Sequence, residues 1–374
     1  MRKITGILTN ELKEFYGEEE VRRAEAFPVK TFRDLMQQVA RLSYLNKDYL
    51  LFFRGQGANH VNKVGASSFY PSIFRGERTS KAELEIRFDV LAGASKRLVE
   101  AFSKSGIDGS SDIRKRRYIQ WSILQHYEVC STPLLDFTQS IRVASSFAFL
   151  NNSTDEAFIY VFGLPYLTNR ISINSEHDLV NIRLLSICPP DALRPYYQEG
   201  YLAGTDELTI DFDSKEEFDF NSRLIAKFKI PNNNSFWNKG FSAIPEIALY
   251  PRNDRIQKLC EELGKELGTE DDPGQLGLML QAWVRLESRL LDLARAKNEN
   301  VRSVLEALRV LQNSQDLLDR KMFYQIDQIR KIRNIAVHTP DKARPGEFSA
   351  TRIEMDKLTE ELKKISDSRI QKKQ

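Results

Sequence analysis

The sequence predicts an α+β domain followed by an all-α helical bundle. Three observations predict it. Apolar or alternating runs rich in β-branched and aromatic residues, AFIYVF (157–162), IRLLSI (182–187) and SRLIAKFKI (222–230), read as strands, and all of them precede Asp254. Stretches of helical periodicity, 81–102 and 112–127, lie among them. Beyond Asp254 only helical spacing remains: Leu276, Leu280, Trp283, Glu287, Leu290 and Ala294, then Met322, Ile326, Ile329 and Ala336. A chain of 374 residues is long enough for two domains. We draw them as an N-terminal segment 1–29, an α+β domain 30–256 and a helical domain 257–374.

In chain order, Phe52-Phe53-Arg54-Gly55-Gln56 is an apolar strand ending in Arg-Gly. There a guanidinium can face a cleft while glycine lets the backbone turn tightly. The helix 112–127 carries Tyr118, Trp121 and Leu124 about one turn apart, and its basic run Arg114–Arg117 is read as a solvated face. Thr138 or Ser140 can N-cap a helix that buries Val143, Ala144, Phe147 and Ala148. Asp136, between Leu135 and Phe137, needs a partner, for which Arg54 and nearby backbone N–H groups compete. The linker TEDDPG (269–274) is turn-like, and about five helices follow from 255–275 onward. Pro340 and Pro345 interrupt them, the last helix spans 351–370, and the tail DSRIQKKQ frays.

Composition excludes several classes. With 41% apolar and 29% charged residues the chain is of ordinary globular type, and a net charge of +3 does not by itself imply a nucleic-acid partner. No apolar run reaches the roughly 20 residues of a membrane span, and the N-terminus lacks the apolar stretch of a secretory leader. Three widely spaced cysteines argue for a reducing compartment, hence a cytoplasmic protein, and four scattered histidines form no metal motif.

Several ordered segments carry a resemblance. Phe52-Phe53-Arg54-Gly55-Gln56, Gln125-His126-Tyr127, Leu134-Leu135-Asp136-Phe137-Thr138 and Arg194…Gln198-Glu199-Gly200-Tyr201 resemble the FRG domain family, with 240–259 similar to its closing segment. The resemblance covers roughly 30–260. The layout is similar to that of ADP-ribosyltransferases, which implies a split sheet and NAD as the cofactor of this domain. Transfer of ADP-ribose needs cations at the pyrophosphate and a carboxylate near the ribose. The resemblance therefore implies a cleft formed by Arg54, Gln56, His126, Tyr127, Asp136, Thr138, Arg194, Gln198 and Glu199. Arg54 would hold phosphate, and His126 or Tyr127 would line the nicotinamide pocket. Position 198 carries an amide where that layout expects a carboxylate, and Glu199 points the other way if the segment is extended.

In the second domain Arg330, Asn334 and His338 fall on one i, i+4 row that Arg333 borders, ahead of Pro340. Imidazole in a last helical turn is favoured in its charged form. Arg333-Asn334…His338 resembles the Arg-x4-His motif of HEPN domains. That resemblance implies a metal-independent endoribonuclease acting on RNA through its 2′-OH, with no cofactor. A base and an acid are both needed, so the resemblance implies a homodimer that pairs two such faces. Arg333 would hold the scissile phosphate, Asn334 orient it and His338 move the proton. Together these expectations describe an intracellular toxin or defence effector whose FRG domain senses or regulates, with an antitoxin or regulator as a further partner. The competing expectations place an NAD-consuming activity in the FRG cleft, or make both domains binding and dimerisation modules without catalysis.

Overall fold

A computed structural model describes residues 1–75, 81–205, 214–267, 273–297, 301–312, 318–338 and 345–371; some helix-end residues, His338 among them, are described by backbone alone. The chain forms two compact units, Met1–Glu77 with Ser95–Glu261 and Arg78–Ala94 with Glu262–Gln374. The first carries a sheet with surrounding helices and the second is helical.

The strands of the first unit are β1 (Phe27–Pro28), β2 (Leu50–Gln56), β3 (Leu134–Thr138), β4 (Glu156–Leu164), β5 (Ile171–Asn174), β6 (Leu179–Arg183), β7 (Gly200–Thr205) and β8 (Leu224–Pro231). Among the described residues they make one eight-stranded sheet in the order β1-β8-β4-β2-β3-β7-β6-β5. All neighbours are antiparallel except β1 and β8. Pro28, which has no N–H for a ladder, sits at the end of the edge strand.

The run AFIYVF becomes the core of β4, buried on both faces between β2 and β8, which is why it is continuously apolar instead of alternating. On β2 the period of two is kept. Leu51 and Phe53 join a core with Leu12, Phe32, Leu35 and Ala148, while Phe52 joins another with Phe69, Phe137 and Phe162. Residues 1–29 belong to the first of these cores through Ile4, Leu12 and Tyr16.

IRLLSI divides: Ile182-Arg183 closes β6, and Leu184–Ile187 is a helical turn. The helix expected over 112–127 is two helices, Ser110–Lys115 and Arg117–His126, broken where Arg116 is extended. Arg114–Arg117 are exposed. Ser140, not Thr138, caps the helix Ile141–Phe149 by accepting from Val143 N.

The pairing of β2 is unequal on its two sides. With β4 it pairs along its whole length, from Leu50↔Leu164 to Gln56↔Phe158. On its other side β2 meets β3 at a single position, Phe53↔Thr138. The sheet therefore opens along the β2–β3 line.

The helical unit contains Pro273–Arg295, Val304–Gln312, Arg320–His338 and Pro345–Gln371, preceded by Arg255–Leu267 at the boundary. Trp283, Leu286, Leu290 and Ala294 pack with Leu308, Ile326, Ile329, Ala336, Met355 and Leu358 in one core; of the stripes read from the spacing, Leu280 and Met322 are partly buried against it, and the side chain of Leu276 lies outside the described residues. Pro345 begins the last helix, Pro273 begins the long one, and residues 268–272 and 339–344, where the linker and the Pro340 break were expected, lie outside the described residues. No described helix is long and apolar enough to cross a membrane.

Candidate functional site

The opening between β2 and β3 is lined by residues from six stretches of chain. Phe53, Arg54 and Gly55 come from β2, and Gln125, His126 and Glu128 from the end of the helix Arg117–His126. Asp136 to Thr138 come from β3, and Ala144 and Phe147 from the helix behind it. Arg194, Gln198, Gly200 and Tyr250 close the cavity, whose volume is about 230 Å³.

Gly55 makes the site possible. The strand continues through it to Gln56, so its purpose is not the tight turn expected from Arg-Gly. A Cβ there would lie 1.8 Å from the carbonyl oxygen of Ala144, so only glycine lets the helix Ile141–Phe149 lie directly on β2. Gly200, at the start of β7, is held less strictly, since what a Cβ would meet there is side chain and not backbone. A Cβ would meet Leu184 at 2.7 Å and the His126 ring at 3.3 Å.

Arg54 donates from Nη1 to the main-chain carbonyl of Asp136 at 2.7 Å, and its Nε is buried without a hydrogen-bond partner. Burial lowers its pKa to about 10 against the opposing charge of Asp136, so it is a cation at neutral pH. Neither partner expected for Asp136 takes its carboxylate. Oδ2 accepts from Gln125 Nε2 at 2.8 Å, and Oδ1 is 3.2 Å from His126 Nδ1. Burial pushes this carboxyl up, yet the bonds from His126 and Gln125 and the nearby Arg54 charge hold it below its ordinary value. Gln125 is fixed in turn, its Oε1 accepting from the hydroxyls of Thr132 and Ser72.

His126 is 3% exposed and its pKa is lowered, mainly by burial, with Arg194 adding to the effect and Asp136 opposing it. With Nδ1–H directed to Asp136, the neutral ring leaves Nε2 as a buried acceptor without a partner. Arg194 is a second buried cation. It donates to Glu128 at 2.6 Å and to Gln257 at 3.3 Å, and its guanidinium lies 4.5 Å from the centre of the Tyr250 ring.

The remaining residues named from the sequence divide. Thr138 is in the wall, where its Oγ1 accepts from Ser140 N. Gln198 is in the wall and 6% exposed, and its Nε2 donates to Leu249 O. The segment at 198 is not extended: it follows the helix Arg194–Tyr197, and Glu199, at φ 44°, is exposed and off the wall. Gln56 ends β2 outside the cavity with Oε1 buried and unpartnered. Tyr127 also lies outside, donating its hydroxyl to Asp254 at 2.8 Å. Asp254 accepts as well from the N–H groups of Leu193, Arg194, Ile256 and Gln257, so it anchors the wall that carries Arg194.

Spacing did not reveal Gln125, Glu128 or Tyr250 as site residues. Gln125 was legible as part of Gln-His-Tyr, and the other two reach the cavity through Arg194.

In the helical unit Arg333 Nη1 donates to Asn334 Oδ1 at 3.0 Å, and its guanidinium lies 5.9 Å from the Trp283 ring centre. Arg330 is turned to Asp327 at 2.8 Å. His338 ends this helix, and its side chain lies outside the described residues.

A cavity of mixed polar and apolar lining at the open seam of the sheet, with two buried cations, a fixed carboxylate and an imidazole on its walls, is the candidate ligand site of this unit. Residues 51–157, which supply β2, the Gln125–Glu128 wall, β3 and the helix behind it, match the family model of the FRG domain. No curated protein and no solved structure matches the chain.

Proposed function

We propose that the cavity of the first unit binds one end of a nicotinamide dinucleotide and supports cleavage of its glycosidic bond, as ADP-ribosyl transfer or another NAD-consuming reaction. The observation that carries this reading is that Arg54, His126, Asp136, Thr138, Arg194 and Gln198, scattered through the sequence, share one cavity at the line where the sheet opens. The chemistry fits. Arg54 retains an unpartnered buried Nε and a positive charge for phosphate, and His126 offers a buried acceptor to an amide or ribose hydroxyl. Cavities that enclose a whole drug-sized ligand are usually about 300 Å³ or more. A volume of about 230 Å³ therefore takes only part of a dinucleotide, with the rest outside. Calorimetric titration with NAD, and chromatography for released nicotinamide, test the reading. Binding that Arg54→Ala abolishes is expected, and an intact chain indifferent to NAD would refute it.

A second reading places a metal-independent endoribonuclease in the helical unit, acting as a homodimer, with the cavity of the first unit as its regulator. The adjacent Arg333–Asn334 pair, on the helix that ends at His338, favours it. Such a chain would be a toxin or defence effector acting on RNA. Induced expression that degrades total RNA in wild type but not in His338→Ala would support it. Intact RNA in both would remove it.

A further inference from the structure

The cavity lacks a carboxylate at position 198, where a transferase of the resembled layout would carry one, but it does not lack a carboxylate. We propose that Asp136, on the neighbouring strand β3, stabilises the positive charge that develops at the anomeric carbon when the glycosidic bond breaks. This assignment rests on the NAD-cleaving reading of the cavity and names the residue that reading requires.

Three observations single out Asp136. Its side chain keeps 38% exposure although it lies between two strands and a helix, so part of the carboxylate faces the cavity it lines. Each oxygen is fixed by one donor, His126 Nδ1 on Oδ1 and Gln125 Nε2 on Oδ2. A carboxylate has about four acceptor sites, so two donors orient it and leave lone pairs for substrate. Finally, the other acids near the cavity are screened or absent from the wall. Glu128 lines the cavity too, but its side chain is 71% exposed and ion-paired with Arg194, so solvent and that guanidinium screen its charge, and Glu199 is exposed and turned off the wall by its left-handed backbone.

Gln198 cannot substitute. An amide carries no charge, and its Nε2 is already committed to Leu249 O. Its place is to hold the wall. Asp136 is held ionised and immobile beside where the ribose would sit, and a preorganised charge costs nothing to reorient during reaction.

The step balances without a further reagent. The bond from the anomeric carbon to the pyridinium nitrogen breaks, and both electrons go to that nitrogen, which leaves as neutral nicotinamide. The oxygen of water or of an acceptor hydroxyl bonds to the anomeric carbon, and its proton passes to solvent. Asp136 forms no covalent bond; its charge is felt most strongly in the oxocarbenium-like state between these events.

The test uses the full chain. NAD binding by calorimetry and nicotinamide release are compared for wild type, Asp136→Asn and Gln198→Ala, with ADP-ribose binding as the check on folding. Asp136→Asn is expected to bind NAD within about threefold of wild type and to lose turnover by about 100-fold or more. Gln198→Ala removes no charge but frees the wall at Leu249 O, so weaker NAD binding is expected of it rather than the selective loss of turnover expected of Asp136→Asn.

Turnover of Asp136→Asn within about tenfold of wild type overturns the assignment and leaves the NAD-cleaving reading standing. Wild type that neither binds nor cleaves NAD overturns that reading and the assignment together. If Asp136→Asn fails to bind ADP-ribose, Asp136→Glu decides. It keeps the charge but displaces it by one methylene, so a loss of about tenfold or more with binding retained supports the assignment, and full turnover overturns it.

Discussion

Arg54 Nη1 donates to the main-chain carbonyl of Asp136 at 2.7 Å, across the line where β2 and β3 pair only at Phe53↔Thr138. A side chain thus takes over part of the work that a strand ladder performs elsewhere in the sheet. The same guanidinium borders the cavity, so one residue both spans the opening and offers charge to whatever enters it.

Arg54→Lys separates these duties. A lysine keeps the charge but cannot present several planar donors at once. We expect NAD affinity to fall by about tenfold or more in calorimetry, with a modest fall in melting temperature from the lost bond to Asp136 O. Unchanged affinity would show that the guanidinium is not the phosphate ligand.

Gly55→Ala tests the contact between strand and helix. The new methyl would meet the Ala144 carbonyl at 1.8 Å, so the helix Ile141–Phe149 must move off β2. Overpacking of this kind costs about 1–3 kcal/mol or more, and urea unfolding should show it. An unperturbed midpoint would mean that the helix can shift freely.

His126 makes stability depend on pH. Its folded pKa lies below the ordinary 6.5, so the unfolded chain takes up this proton first. The contribution is complete above about 6.5 and is lost as pH falls towards the folded value. Asp136 and Glu128 oppose the shift and Arg194 supports it. Urea midpoints measured across this range should fall more steeply for wild type than for His126→Gln, and parallel curves would exclude His126 as the cause.

Tyr127 and Asp254 should behave as scaffold. Removing the acceptor in Asp254→Ala strands four backbone donors and the Tyr127 hydroxyl, at a cost of about 3 kcal/mol or more in unfolding free energy. Tyr127→Phe gives up only one bond to a charged acceptor, about 1.5–3 kcal/mol, and should leave NAD affinity unchanged. A large loss of affinity in Tyr127→Phe would put that hydroxyl in contact with ligand.

The division between α+β and helical parts was legible because period two stops and period 3.6 continues near Asp254. Trp283 and Ile326 are buried for the reason the spacing gave. β3 was missed because Leu134–Thr138 is short and carries an acid, and β7 because Gly200 and Gly204 weaken its strand signal. The need of Asp136 for partners is legible in the sequence, but local pattern offers only Arg54 or nearby backbone N–H groups. The fold instead gives its carboxylate to His126 and Gln125 and its carbonyl to Arg54. Which of Gln198 and Glu199 lines the cavity depended on whether that segment was strand or helix end, a choice made by tertiary packing.

The seam between β2 and β3 has a thermodynamic meaning of its own. The strands β1, β8, β4 and β2 are laced together by ladders, as are β3, β7, β6 and β5, whereas between the two sets hydrogen bonding thins to one backbone pair and one arginine bond, with Phe52, Phe137 and Phe162 packed across the line. Backbone opening at the seam therefore breaks the fewest ladder bonds, while the aromatic core beneath it holds the two sets together. A molecule seated there touches both sets at once. It is a clasp across the sheet, and occupancy would be felt as slower amide exchange on both sides of the line.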